Sequence, residues 1–279
     1  MDKRTGARIA TCANIIAAWL GMRDLTSLDQ QSMRQEAGLT DSVADLLVLF
    51  GGGILGSVDF LACAMRRGVA RKYAVVGGRG HATYGLSASV EKFFLQAADS
   101  GMDLPTDLPN PQTASEAHMI SAVLELRYGL KPDLLEAHST NCGNNIEYLL
   151  DLLDEERVAP KSVVLCQDAA MQRRMDATWR KQIADRPRYA ATRVINWAFY
   201  QAEVVWADDE LTYANAPEGM WDIDRYLSLL VGDVARLVDD EHGYGPRGAS
   251  FIAHVDVPAE VLDAWRELRA LRPDDERLL

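Results

Sequence analysis

The feature that most constrains this chain is a recurring unit. A short apolar run ends at glycine or at small polar residues, and a segment of helical periodicity follows. Residues 46–50 run directly into Gly51, Gly52 and Gly53, and residues 73–76 run into Gly77 and Gly78. An apolar run without polar alternation fits a strand covered on both faces, as in a parallel sheet. Further short runs at 134–137, 163–166 and 192–197 read as strands in the same way. Helices are expected over 55–67, 87–98, 115–128, 146–156 and 171–183. This alternation predicts an α/β fold: a Rossmann-like, doubly wound, mainly parallel sheet with right-handed crossovers.

From about residue 208 the pattern changes. Residues 211–222 read as loop and 223–238 as helix. A glycine-rich loop then carries Gly243, Gly245 and Gly248, and Pro258 opens a last helix over 259–271. The expected division is a Rossmann-like domain over 1–207 and a smaller C-terminal helical subdomain over 208–279.

Charge and cysteine usage narrow the function classes. A net charge of -12 gives no electrostatic reason to bind nucleic acid or an anionic membrane. The cluster Arg66, Arg67, Arg71 and Lys72 has no interleaved aromatic residues and reads as a solvated helix end. Cys12, Cys63, Cys142 and Cys166 form no C-x-x-C pair, which argues against a zinc ribbon or redox motif and fits a reducing cytoplasm. Cys63 and Cys166 lie in apolar runs and are expected in the core. Residues 9–22, preceded by Lys3, Arg4 and Arg8, mimic a signal peptide. Asn14 interrupts that stretch, and Ile15, Ile16, Trp19 and Leu20 fall at helical spacing, so an amphipathic first helix is expected. No run approaches the roughly 18 apolar residues of a membrane span.

In open α/β sheets, ligands bind beyond the carboxyl ends of the strands. Four such junctions carry unusual residues. Gly51-Gly52-Gly53-Ile54-Leu55-Gly56 matches G-x-G-x-x-G directly after a strand. The acidic residue a nicotinamide dinucleotide would need after the second strand is absent, because Gly77 and Gly78 stand there. A tight turn without a ligand is the plain alternative. Gly77-Gly78-Arg79-Gly80-His81 suits a phosphate, a carboxylate or a sulfonium-bearing ligand, or is a flexible crossover. In Ser139-Thr140-Asn141-Cys142-Gly143-Asn144-Asn145, Asn141 is a candidate helix cap, and the density of small and amide groups suggests binding. In Gln167-Asp168, the aspartate is either an N-cap or a ligand for a ribose, an amine or a metal. Arg173 pairs with an anion or faces solvent. Glu116 is a further candidate, although its spacing from Thr113 also fits a capping box. No G-x-S-x-G elbow, H-E-x-x-H or Walker A loop is present.

The order of these motifs resembles the domain shared by the SanA, ElyC and YdcF proteins. It runs from Gly51-Gly52-Gly53 through Val76-Gly77-Gly78, Glu116, Ser139-Thr140-Asn141 with Asn145, and Gln167-Asp168, to Met171 with Arg173. The segments Arg225-Tyr226-Leu227-Ser228, Gly243-Tyr244-Gly245-Pro246-Arg247-Gly248 and His254-Val255-Asp256 are similar to the YdcF branch, and the likeness covers residues 10–270. The resemblance implies binding of S-adenosylmethionine. The implied pocket comprises Gly51, Gly52, Gly77, Gly78, His81, Glu116, Ser139, Asn141, Asn145, Asp168 and Arg173. The wider family often places Tyr-His after the aspartate and Glu before the last asparagine; Ala169, Ala170 and Asn144 stand there instead, which removes an acid–base role for that histidine and weakens a carboxylate metal site. SanA and ElyC carry a membrane anchor, and none is expected here. The leading expectation is thus an S-adenosylmethionine-binding protein, in which methyl transfer would need positioning rather than a nucleophile. The alternatives are a phosphoester or nucleotide hydrolase using Glu116, Asp168 and magnesium, and a non-catalytic sensor of a nucleotide-like metabolite.

Overall fold

Strand β1 (Ala44–Phe50) shows why its run is apolar throughout. In the computed structural model, which describes residues 1–273, its side chains alternate between two separate cores. Leu47 and Leu49 pack on one face, and Leu46, Val48 and Phe50 on the other. The apolar parts of strands β2 (Ala70–Val76) and β4 (Ser162–Cys166), residues 73–76 and 163–166, alternate likewise, so a period of two is hidden inside each apolar run. Residues 274–279 of the expected C-terminal part lie outside the described residues.

With β3 (Leu134–Glu136) and β5 (Arg193–Asn196), these strands form a five-stranded sheet in the order β3-β2-β1-β4-β5. Every pairing is parallel. Helices α3 (Ser57–Arg67), α4 (Thr83–Asp99) and α5 (Glu116–Tyr128) cover one face through Leu61, Val90, Ile120 and Val123. Helices α6 (Cys142–Glu155) and α7 (Gln172–Gln182) cover the other through Ile146, Leu149, Met175 and Trp179. The chain winds outward from β1 to β3, crosses back through α6 to β4, and winds outward again to β5. The fold is therefore a doubly wound, Rossmann-like α/β fold, and its winding reverses between β1 and β4.

Helix α1 (Lys3–Leu20) is amphipathic as expected, burying Ile9, Ala13, Ile16 and Leu20. These residues share one apolar cluster with Leu227, Leu230 and Val234 of α8 (Ile223–Leu237) and with Val261, Ala264 and Leu268 of α9 (Ala259–Leu271). The N-terminal helix is thus built into the C-terminal part. A short helix, α2 (Gln30–Gln35), precedes β1; Asp29 caps it.

One segment differs from its sequence reading. Residues expected as loop contain β7 (Glu210–Asn215), which pairs antiparallel with β6 (Glu203–Ala207). The turn between them is Asp208-Asp209, with φ of 51° and 62°. Two adjacent positive φ values fit a tight hairpin turn, and aspartate tolerates that region better than most residues. The turn signal lay in two acidic residues rather than in glycine. A second difference concerns Cys63, which is exposed on α3, whereas Cys12, Cys142 and Cys166 are buried; all four are free thiols.

Among the described residues, no helix is long and apolar enough to cross a membrane.

Candidate functional site

The carboxyl ends of β1, β3 and β4 open into a cavity of about 850 Å³, roofed by α8 and by the loop that follows it. Its position is the reversal point of the sheet, and its size suits a nucleoside-sized ligand. Seven residues expected at a binding site line it: Gly51, Gly52, His81, Glu116, Ser139, Asn141 and Asn145.

The two glycine turns are there for close packing. A side chain on Gly51 would collide with the Glu116 carboxylate, and one on Gly78 with the Ser139 carbonyl oxygen. A Cβ on Gly77 would sit 3.0 Å from the Gly51 Cα. The carbonyl oxygens of Gly78 and Gly77 accept from the Glu116 and Ala117 N–H groups, each at 2.8 Å. Gly77 and Gly78 thus fasten the start of α5 behind the cavity wall instead of lining it. Ser115, not Thr113, caps α5, by accepting from the His118 N–H.

The carboxylate of Glu116 therefore projects over the β1 and β2 turns. It accepts from the Thr83 hydroxyl at 2.6 Å. Burial pushes this carboxyl above the usual carboxylate range, against the Thr83 hydrogen bond and the Arg79 charge. It holds a proton more readily than an exposed glutamate does.

At the end of β3, the Ser139 N–H and hydroxyl both donate to the Glu136 carboxylate, at 3.0 Å and 2.5 Å. The hydroxyl is committed to that bond and is no free nucleophile. Asn141 caps α6, and its N–H donates in return to the Asn144 side chain at 3.0 Å, a reciprocal capping box. Asn145, one residue further, is 7% exposed. Burial pushes the Cys142 thiol up, partly offset by Arg174, so it is held protonated rather than as a reactive thiolate.

Asp168 sits below the cavity wall, not in it. It is 1% exposed and accepts from Ala170 N–H at 2.9 Å, Tyr200 hydroxyl at 2.6 Å and Trp221 Nε1–H at 2.9 Å. Burial raises its pKa, while the Tyr200 and Trp221 hydrogen bonds pull it down. Its oxygens are engaged with the protein, so it orients Trp221, which does line the cavity. Arg173 also departs from its expected place. It donates from Nε to the Trp19 carbonyl at 2.7 Å and lies over the Trp19 ring, 4.4 Å from the centroid. One residue on, about 100° around the helix, Arg174 faces the cavity instead.

Sequence reasoning missed the residues contributed by the C-terminal part and by the inner face of α7. Arg174, Lys181, Arg225 and Arg236 line the cavity. Arg174 forms an ion pair with Asp233 at 2.6 Å, and the Asp233 side chain is fully buried. Gln167 also lines the cavity, accepting from the Asp168 N–H and donating to the Gly51 carbonyl at 3.3 Å. The adjacent Met171-Gln172-Arg173-Arg174 run was visible in sequence, but helical phase alone decides which arginine turns inward.

The start of α3 settles the G-x-G-x-x-G motif. A side chain on Gly53 would collide with the Trp221 ring, and one on Gly56 would meet Pro217 Cβ at 2.8 Å. The Gly56 N–H donates to the Glu218 carbonyl at 2.8 Å, and the Ser57 and Val58 N–H groups are taken by Ile54 and Leu55. The helix end where a dinucleotide's pyrophosphate would dock is thus filled by residues 217–219. Among the described residues, no group of three or more His, Cys, Asp or Glu is placed to hold a metal ion. In comparison with known protein families, no family model matches the chain.

Proposed function

We propose that this chain is a YdcF-like small-molecule-binding protein that takes S-adenosylmethionine in the cavity at the reversal point of the sheet. The observation that carries the reading is the lining itself. Uncharged amides of Asn141, Asn145 and Gln167, the protonation-prone Glu116 and the Trp221 ring line one half-open space. Such a set suits a nucleoside with hydroxyl and amino groups, held by hydrogen bonds and stacking. The motif order that resembles the SanA, ElyC and YdcF domain supports the same ligand.

The chemistry of the lining favours positioning over covalent catalysis. The Ser139 hydroxyl is bonded to Glu136, and the Cys142 thiol is held protonated. Methyl transfer from a sulfonium to an acceptor requires alignment and exclusion of water rather than a nucleophile on the protein. Hydrolysis through a metal held by Glu116 and Asp168 lacks its second carboxylate, since Asp168 is bound to Tyr200 and Trp221. A phosphorylated ligand finds four cationic side chains in the lining, set against the carboxylates of Glu116, Glu147, Asp185 and Asp233.

Calorimetric titration with S-adenosylmethionine and with its demethylated product tests the reading. The expected result is binding of both at one site, with thermal stabilisation that grows with ligand concentration. Absence of heat with either, together with binding of another nucleotide, overturns it.

A further inference from the structure

Helix α6 begins inside the cavity with donors that the protein leaves unused. Its first residues, Cys142 and Gly143, line the cavity, and their N–H groups have no acceptor among the described residues. The next two N–H groups are satisfied, Asn144 by the Asn141 side chain and Asn145 by the Asn141 carbonyl. An open helix N-terminus would not by itself define a site. Here a second observation stands beside it. Asn145 is 93% buried by its 7% exposure, lines the same cavity, and its side-chain amide makes no hydrogen bond to any described residue. An amide that lines a cavity without a protein partner leaves its donors available to a ligand there.

The lining as a whole sets Glu116, Glu147, Asp185 and Asp233 against Arg174, Lys181, Arg225 and Arg236, so the local pull on an anion comes from Arg174. Arg174 lines the same cavity as Cys142 and Gly143. Its Nε and one Nη are turned to Asp233, at 2.6 Å and 3.5 Å, while the other Nη makes no hydrogen bond among the described residues. Asp233, the nearest counter-charge, is already shared between Arg174 and Arg236.

We infer that the cavity holds a compact anionic group of its ligand, a carboxylate or a phosphate, at the start of α6. The Cys142 and Gly143 N–H groups, the Asn145 amide and Arg174 donate to it. Backbone N–H groups at a helix start and a guanidinium edge are the usual partners of such oxyanions. The inference rests on the binding reading above only in using the same cavity. A nucleotide phosphate would satisfy it as well as the amino-acid carboxylate of S-adenosylmethionine.

The test titrates the full chain with four probes: S-adenosylmethionine, 5′-methylthioadenosine, adenosine monophosphate and inorganic phosphate. The second probe carries the adenosine without the amino-acid carboxylate. Binding is read by calorimetry and by the amide ¹⁵N–¹H signals of Cys142 and Gly143. The expected result is that at least one anionic probe binds and shifts both signals, whereas 5′-methylthioadenosine leaves them in place. Asn145→Leu, of similar size, weakens the anionic probe about tenfold and leaves 5′-methylthioadenosine unchanged; Asn145→Asp weakens it further by repulsion. Binding of adenosine monophosphate or phosphate without S-adenosylmethionine supports the anion site while overturning the proposed ligand. Binding of an anionic probe with both signals unmoved, equal weakening of all probes by Asn145→Leu, or no binding of any anionic probe overturns the inference.

Discussion

Replacing Asp168 by asparagine separates a structural role from a ligand-binding one. The side chain keeps its shape and keeps one oxygen for the two donors on Oδ1, the Ala170 N–H and the Tyr200 hydroxyl. Its new NH₂ group then faces the Trp221 indole N–H, which had donated at 2.9 Å. Two donors confront each other in a site that is 1% exposed. Losing a hydrogen bond to a charged acceptor costs about 1.5–3 kcal/mol, and the orphaned indole N–H adds about 1–3 kcal/mol. Against this, burial already disfavours the Asp168 charge, and asparagine removes that penalty. The net expectation is a loss of about 2 kcal/mol. With an m-value of about 3 kcal/mol/M, the urea midpoint falls by about 0.7 M. Tyr200→Phe, which removes one donor and leaves the acceptor engaged elsewhere, costs about 1 kcal/mol. The assay is equilibrium urea unfolding, with near-ultraviolet circular dichroism reporting the aromatic environment. If Asp168→Asn unfolds at the wild-type midpoint yet loses ligand binding, Asp168 is a ligand group and the reasoning fails.

Three further outcomes follow from the same geometry. Arg174→Met leaves the fully buried Asp233 side chain without its closest partner and destabilises by about 3–5 kcal/mol, whereas Arg173→Met loses only its hold on Trp19 and costs about 1 kcal/mol; equal midpoint shifts in urea would contradict their placement in different surroundings on α7. Gly53→Ala drives a methyl group into the Trp221 ring and costs about 1–3 kcal/mol with a matching loss of ligand affinity; an unchanged unfolding curve would contradict the packing. Glu116 has a folded-state pKa above its unfolded 4.5, so the stability it confers is complete below 4.5 and is lost as pH rises through the folded value. Glu116→Gln abolishes that loss. Its stability therefore declines less steeply above pH 4.5 than the wild type's in denaturant titrations, and parallel pH profiles would refute the assignment.

The layered sheet was legible because each central strand is buried on both faces, which leaves an unbroken apolar run ending in small residues. The last helix was legible from Pro258, and α8 from its apolar stripe. The β6–β7 hairpin was hidden because its turn uses Asp208-Asp209 in place of glycine. At the site, the strand-end residues announced themselves, but their jobs did not. Gly53 and Gly56 mimic a dinucleotide fingerprint while serving to admit Trp221 and residues 217–219. Nothing local to Asp168 reveals that Trp221, far along the chain, will occupy its second oxygen. Arg173 and Arg174 differ only in helical phase, and the choice between them depends on where α1 and α8 pack. Residues supplied by long-range packing were therefore the ones that sequence patterns could not assign.

The most direct test of the account is a crystal structure of the protein grown with S-adenosylhomocysteine, the stable demethylated product. The account predicts the ligand at the carboxyl ends of β1, β3 and β4, with its nucleoside near Trp221, Gln167 and Glu116 and its carboxylate on the Cys142 and Gly143 N–H groups. Ligand density at the start of α3, or a cavity without ligand under saturating conditions, would contradict it.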